Sequence, residues 1–298
     1  MNKKQLIAIV GPTAVGKTKV AIELAQYYQT EIVSFDSRQF YKEMNIGTAV
    51  PTKEELETIP HHFIQNRSIH QPYTVGEYEK EANRCINNLF KNKEKVILVG
   101  GSGLYEKAIT KGLDDFPTID DKIKNELELN FEKQGIEYLQ NLLAQKDPQY
   151  FAKVDKQNHR RLIRALEVCL STHKSYSSFL EKKTESKKQF NTIKIGLELP
   201  REELYQRINE RVDKMMEQGL LQEVENLYPF KQLKPLQTVG YTELFDFIDN
   251  KTNFQQAVEE IKKNTRRYAK RQMTWYRKEL QVNWFEPKEV EKIKIHIN

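Results

Sequence analysis

Short apolar runs alternate with longer amphipathic stretches through the first hundred residues. The run Leu6–Val10 ends in a glycine-rich turn. The next stretch, KTKVAIELAQYY, places Val20, Leu24 and Tyr28 at helical spacing. TEIVSFD reads as a second strand ending at Asp36, and EYEKEANRCINNLFKNK as a helix with Ala82, Ile86 and Leu89 on one face. EKVILVGG is apolar throughout, the pattern of a strand covered on both faces. Strands alternating with helices in this way predict a parallel α/β sheet. Such sheets gather ligands at the carboxyl ends of their strands, where the first loop, Asp36 and Gly100–Gly103 all fall.

The period changes after DDFPTIDD. Between residues 122 and 185 the apolar positions keep helical spacing, with Ile123, Leu127 and Phe131, then Ile136, Leu139 and Leu143, marking two helices and HRRLIRALEVCL a third. A polar link, EKKTESKKQ, precedes a returning strand, NTIKIGLELP. A long amphipathic helix then carries Leu204, Ile208, Val212 and Met215, and a last helix spans Phe254 to Leu280. The expected fold is α/β, a P-loop-type parallel sheet flanked by helices. Residues 1–115 and 190–298 would form this core, and 116–189 an all-helical insertion.

Composition narrows the class. With 38% hydrophobic and 30% charged residues among 298, the chain suits a soluble globular protein and is too apolar for a disordered one. No run approaches a membrane span. The opening MNKKQLIAIVG has too short an apolar core for a signal peptide and reads as the first strand. Cys85 and Cys169 are far apart and outside metal-like spacing, so a reducing, cytoplasmic setting is expected. The net charge of +6 permits a nucleic-acid partner, and the distribution of that charge must decide.

The strongest chemical signal is Gly11, Pro12, Thr13, Ala14, Val15, Gly16, Lys17 and Thr18, which spell G-x-x-x-x-G-K-T between a strand and a helix. Glycines let backbone approach a ligand, successive N–H groups and the helix N-terminus bind anionic oxygens, Lys17 adds a positive charge, and Thr18 offers a hydroxyl to Mg²⁺. The motif binds a diphosphate without naming its carrier. An ATPase or GTPase would add an apolar strand ending in aspartate, but EKVILVGG ends in glycines. Asp36 is the carboxylate at a strand end near the loop, either functional or capping the turn after it. GGSGLY is a second glycine-rich turn, serving either helix–sheet packing or, through Ser102, ligand contact.

Cations recur at helical spacing in Arg160, Arg161 and Arg164, and in Arg207, Arg211 and Lys214. Either set is a solvated face or a source of charge for a leaving diphosphate. IKKNTRRYAKRQMTWYRK holds eight Lys/Arg and no acid, with Lys263, Arg266, Arg267, Lys270 and Arg271 in one stripe and Tyr268, Trp275 and Tyr276 interleaved. That mixture suits a nucleic-acid backbone and unstacked bases. His61 and His62 are adjacent, the wrong spacing for a helical metal pair, and point to turn or packing roles.

In order along the chain, GPTAVGKT, SFDSRQFYKEMNIGTAVPTKEE, PHHFI, VGGSGLY, RRLIRALEV, RVDKMMEQGLLQEV, TVGYTE and TRRYAKRQMTWYRK resemble the tRNA dimethylallyltransferase family. Serine stands at Ser102 where many relatives carry threonine, which keeps the hydroxyl. The resemblance implies a transferase moving a dimethylallyl group from dimethylallyl diphosphate to N6 of adenosine 37 in the tRNA anticodon loop, a base flipped from its stack. It implies catalytic roles for Asp36, Thr13, Lys17 and Arg211, and Mg²⁺ at Thr18. It implies tRNA contacts at Asp36, Ser37, Arg38, Gln39, Ser102, Lys124, Arg160, Arg161, Arg164, Gln237, Gly240, Tyr241, Lys270, Arg271, Gln272, Trp275 and Arg277. A monomer with no membrane partner is expected. The rival reading, a P-loop small-molecule kinase, accounts for the first part of the chain but leaves the basic aromatic helix without a role.

Overall fold

The computed structural model describes residues 4–114, 116, 119–180, 190–279 and 281–298. Strand β1 (Gln5–Val10) leads through the glycine loop into α1 (Lys17–Tyr27) and β2 (Ile32–Ser34). Then come α2 (Lys53–Thr58), the two-residue β3 (His61–His62), α3 (Val75–Leu89), β4 (Lys95–Val99) and α4 (Gly103–Lys111). Helices α5 (Asp121–Gln134), α6 (Ile136–Lys146), α7 (Pro148–Phe151), α8 (His159–Thr172) and α9 (Ser177–Leu180) follow without a strand among the described residues. The chain returns through β5 (Asn191–Leu197) to α10 (Arg201–Glu217), α11 (Leu220–Leu227), α12 (Tyr241–Ile248), α13 (Phe254–Tyr276), β6 (Val282–Phe285) and α14 (Val290–Ile297).

All pairings in the sheet are parallel, in the order β3-β2-β4-β1-β5-β6. The central strands are buried because their residues are apolar on both faces: Leu6, Ile7, Ala8, Ile9 and Val10 have no exposed surface. Register aligns Ile9 with Val99 and Ser34 with Val99, so the turns after β1, β2 and β4 share one edge. Helix α3 starts on a capping box between Thr74 and Glu77 and buries Tyr78, Ala82 and Ile86, one stripe at i, i+4 and i+8. Edge strands β3 and β6 and helix α14 add to the elements expected from the sequence. The polar link at 181–189, residue 115 and Leu280 lie outside the described residues. The last basic helix ends at Tyr276.

Two compact units result, Met1–Lys111 with Lys188–Asn298, and Gly112–Lys187. The second has its own core of Leu127, Leu139, Leu143, Leu162, Ile163 and Leu166. Its buried Asp147 accepts from Tyr150 N–H and from both the N–H and hydroxyl of Ser177, so no oxygen of this carboxylate lacks a donor.

Candidate active site

The loop after β1 folds as its glycines dictate. Gly11 has φ +141°, and a Cβ there would lie 2.5 Å from the Leu197 carbonyl oxygen of β5, so no larger residue fits. Ala14 (φ 64°) and Gly16 (φ 103°) also sit at positive φ, the backbone arrangement that turns N–H groups toward an anion. Lys17 Nζ donates to Pro12 O at 2.7 Å and Gly11 O at 3.1 Å. Desolvation lowers the Lys17 pKa to about 8; Asp36 opposes this shift, and Arg211 adds to it. Arg211 projects from α10 and donates to Thr13 Oγ1 at 3.5 Å. Burial lowers its pKa too, with Asp36 opposing.

Asp36 stands two residues past β2. Phe35 N–H still bonds Val99 O at 2.8 Å, which holds this turn against β4. At Gly100 a Cβ would meet Phe35 and Asp36 backbone at 2.7 Å, so glycine permits the approach of the two turns. Asp36 Oδ1 accepts Arg38 N–H at 3.2 Å, which is the turn-capping role. The side chain also lines the cleft with Lys17 and Arg211, so capping and exposure to a ligand coexist. Ser102 accepts Ser37 N–H at 3.1 Å, and the two hydroxyls pair at 2.9 Å, tying the turns together. Arg38 donates to Pro235 O at 2.9 Å, and Gln39 to Ala49 O at 2.8 Å.

Beside these turns lies a cleft of about 810 Å³, and Ser102 stands behind its lining. Thr13, Ala14, Gly16, Lys17, Thr18, Asp36, Ser37, Arg38, Gln39, Arg211, Gln237, Gly240 and Arg271 all line it. Val212, Met215, Leu220 and Ile261 give it an apolar wall. Tyr268, one of the aromatics interleaved in the basic stripe, also lines it, as does Asn264, which sequence reasoning missed. Their i, i+4 spacing with Arg271 and Gln272 on α13 was the available signal. It also missed Glu223 of α11, which accepts from Asn45, Ile46 and Gly47 N–H at 3.1, 2.7 and 3.1 Å and from Tyr241 hydroxyl at 2.6 Å. One carboxylate thus fixes a loop beside the cleft to the turn that begins α12.

Two residues expected to contact RNA instead face inward. Tyr241 is fully buried, its hydroxyl bonded to Glu223. Gln272 is 5% exposed and bonds Thr13 N–H and Gly101 O. Both look inward because their polar ends satisfy backbone and carboxylate groups that would otherwise be buried alone. Lys270, Arg271 and Trp275 line a shallow groove of about 410 Å³ with Arg267, Thr274 and Lys278. Of the same stripe, Lys263 and Arg266 are engaged by Glu260 and Asn209. Arg277 is exposed and pairs with Glu198 at 3.3 Å. Arg207 pairs with Glu203. Lys124, Arg160, Arg161 and Arg164 belong to the second unit, where Arg164 lies over the Phe116 ring and pairs with Glu167. His61 donates Nδ1–H to Ile59 O, and His62 pairs with Glu31 at 2.7 Å. No cluster of three or more His, Cys, Asp or Glu suited to a metal occurs among the described residues.

Fold and site define a parallel α/β protein whose glycine loop, with its half-buried lysine, and an aspartate from the next strand end close on one cleft. The model of a family described as IPP transferase matches residues 39–279, and the chain belongs to that family. It is 54% identical over 289 residues to the tRNA dimethylallyltransferase of Flavobacterium johnsoniae, covering 95% of this chain and 93% of that one. The structure of the full-length tRNA isopentenylpyrophosphate transferase of Bacillus halodurans matches with a TM-score of 0.74 at 36% identity, over 99% of this chain and 96% of that one. A eukaryotic dimethylallyltransferase acting on tRNA matches with a TM-score of 0.82 at 28% identity, over 97% of this chain and 75% of that one.

Proposed function

We propose that this protein transfers a dimethylallyl group from dimethylallyl diphosphate to the N6 amine of adenosine 37 in the tRNA anticodon loop. The observation that carries this reading is the placement of Asp36 in one cleft with Lys17 and Arg211, walled on one side by the basic aromatic helix α13. The diphosphate would lie on the loop N–H groups with Lys17, Arg211 and the Thr13 hydroxyl around it. The bond between the allylic carbon and the diphosphate oxygen breaks, and its electron pair leaves on diphosphate. Cations in a desolvated cleft stabilise that developing charge. The N6 lone pair forms the new carbon–nitrogen bond, and Asp36 takes the displaced proton. An exocyclic amine is a poor nucleophile because its lone pair is delocalised, so orientation by Asp36 matters as much as proton removal.

The donor set fits Mg²⁺. The Thr18 hydroxyl is a hard oxygen at the cleft wall, and Mg²⁺ in diphosphate sites takes few protein ligands beside phosphate oxygens and water. Bound there, the ion would neutralise leaving-group charge. A monomer is sufficient in this reading, since every residue it uses comes from one chain. A kinase would leave the cations of α13 unused, and β4 ends at Val99 and is followed by Gly100 and Gly101, with no metal-binding carboxylate there.

Radiolabelled dimethylallyl diphosphate and unmodified tRNA test the proposal. Label enters tRNA with the wild type. Asp36→Asn keeps tRNA affinity and lowers turnover by roughly 10²- to 10⁴-fold. Near-normal turnover in that variant would remove Asp36 from its role, and ATP consumption with a small acceptor instead of labelled tRNA would remove the transferase reading.

A further inference from the structure

Gln272 occupies an unusual position. It lies on α13, the basic aromatic helix, yet its side chain points away from the groove-lining face and is 5% exposed. Its Oε1 accepts the N–H of Thr13, inside the glycine loop, at 2.8 Å. Its Nε2 donates to the carbonyl of Gly101, in the turn packed on Asp36, at 2.9 Å. Reversing the amide would set acceptor against acceptor and donor against donor at both ends, so the two bonds fix its orientation together. A Cβ at Gly101 would lie 2.7 Å from Gln272 Nε2 and 3.0 Å from Asp36 Oδ2, so the carboxamide and the carboxylate meet on the same glycine. Tyr268, one turn earlier on α13, donates to the same Gly101 carbonyl at 3.3 Å. Thr13 is held at its hydroxyl by Arg211 and at its N–H by Gln272.

We infer that Gln272 is a positioning residue that sets the separation between the glycine loop and the Asp36 turn by hanging both on α13. The inference rests on the proposed function and deepens it. The loop places the reacting carbon through its diphosphate, and the Asp36 turn places the reacting nitrogen. One buried carboxamide then fixes how far apart the two are held. Because Thr13 N–H is spent on Gln272, the diphosphate is left to the N–H groups further along the loop. Misplacement of reacting groups by about 1 Å costs on the order of 100-fold in rate, which is the leverage such a residue has.

Gln272→Leu keeps the volume and removes both bonds, and Gln272→Glu keeps the acceptor while turning the donor into an acceptor. For Gln272→Leu, turnover falls roughly ten- to 100-fold, the Kd of inorganic pyrophosphate rises about tenfold, and the KM for tRNA stays within about twofold of wild type. For Gln272→Glu, the protonated carboxyl restores a donor to Gly101 O and an acceptor for Thr13 N–H. The ratio of its turnover to wild type therefore rises as pH falls, by up to about tenfold per pH unit above the pKa of the introduced carboxyl. A tRNA KM raised tenfold with turnover intact would overturn the inference, because it would make Gln272 an RNA contact. A flat pH ratio would also overturn it, and decides the matter if the leucine variant does not fold. Wild type that puts no label into tRNA would defeat the proposed function instead. In that event the pyrophosphate Kd of Gln272→Leu still judges Gln272, a weakened value supporting its hold on the loop and an unchanged one refuting it.

Discussion

Lys17 shows what a single side chain carries here. Its ammonium is desolvated and bonded to the carbonyls of Gly11 and Pro12, and its pKa falls from 10.5 to about 8. The sign of the consequence differs for folding and for binding. A lysine whose pKa is lowered on folding costs stability while it is protonated, so the ligand-free protein is relieved of that cost as pH rises from about 8 through 10.5. Pyrophosphate, bound as proposed, would by contrast need the charged form. Its affinity is expected to fall as pH rises through about 8, by up to tenfold per unit, with proton uptake on binding. Titration calorimetry in buffers of different ionisation heat measures both. Lys17→Arg, charged throughout, should lose the step that wild type shows; the same step in both proteins would place its origin in another group. Of the residue-level reading, the loop and Asp36 were legible because short motifs impose their own backbone geometry. Gln272 and Tyr241 were not, because burial depends on partners at Thr13, Gly101 and Glu223 that sequence distance conceals.

At the scale of elements, periodicity revealed the long pieces and missed the short ones. Strands β1, β4 and β5 and helices α3, α10 and α13 announce themselves by apolar spacing. Strand β3 is two histidines, and β6 is four residues; each is made a strand by its parallel neighbour, not by its own pattern. Lys194 in β5 is 5% exposed and pairs with Glu106 of α4 and with Glu279 in the turn after α13, so a charge that looks foreign to a buried strand is neutralised by two distant carboxylates. Helix α13 divides its duties by face. Its inner face carries Gln272 and Tyr276 into the core, and its outer face offers Arg267, Lys270, Arg271 and Trp275. If that outer face meets the tRNA backbone, replacing Arg267 and Lys270, which line the outer groove and not the cleft, by alanine releases two phosphate contacts. The slope of log affinity against log salt should then become shallower by about 1.4, with turnover at saturating tRNA little changed. A slope equal to that of wild type would move the RNA off this face.

The whole molecule is two units of different kinds. The sheet-containing unit holds the entire cleft, and the helical unit has a core of its own and the cations Lys124, Arg160, Arg161 and Arg164. This division assigns the two substrates unequally. In the proposed function the diphosphate uses residues of the first unit alone, whereas the proposed tRNA contacts draw on both. Amide hydrogen exchange on the wild-type protein separates these demands, because local opening reports protection segment by segment. Pyrophosphate should slow exchange in Gly11–Thr18, in 34–37, in 100–102 and along the Gln272 turn of α13, and leave α5, α6 and α8 unchanged. Unmodified tRNA should add protection on the outer face of α13 and at α8. If tRNA protects α13 alone, the arginines of α8 are a solvated helix face and the helical unit has another purpose; if pyrophosphate protects α8, the diphosphate does not act through the sheet-containing unit alone.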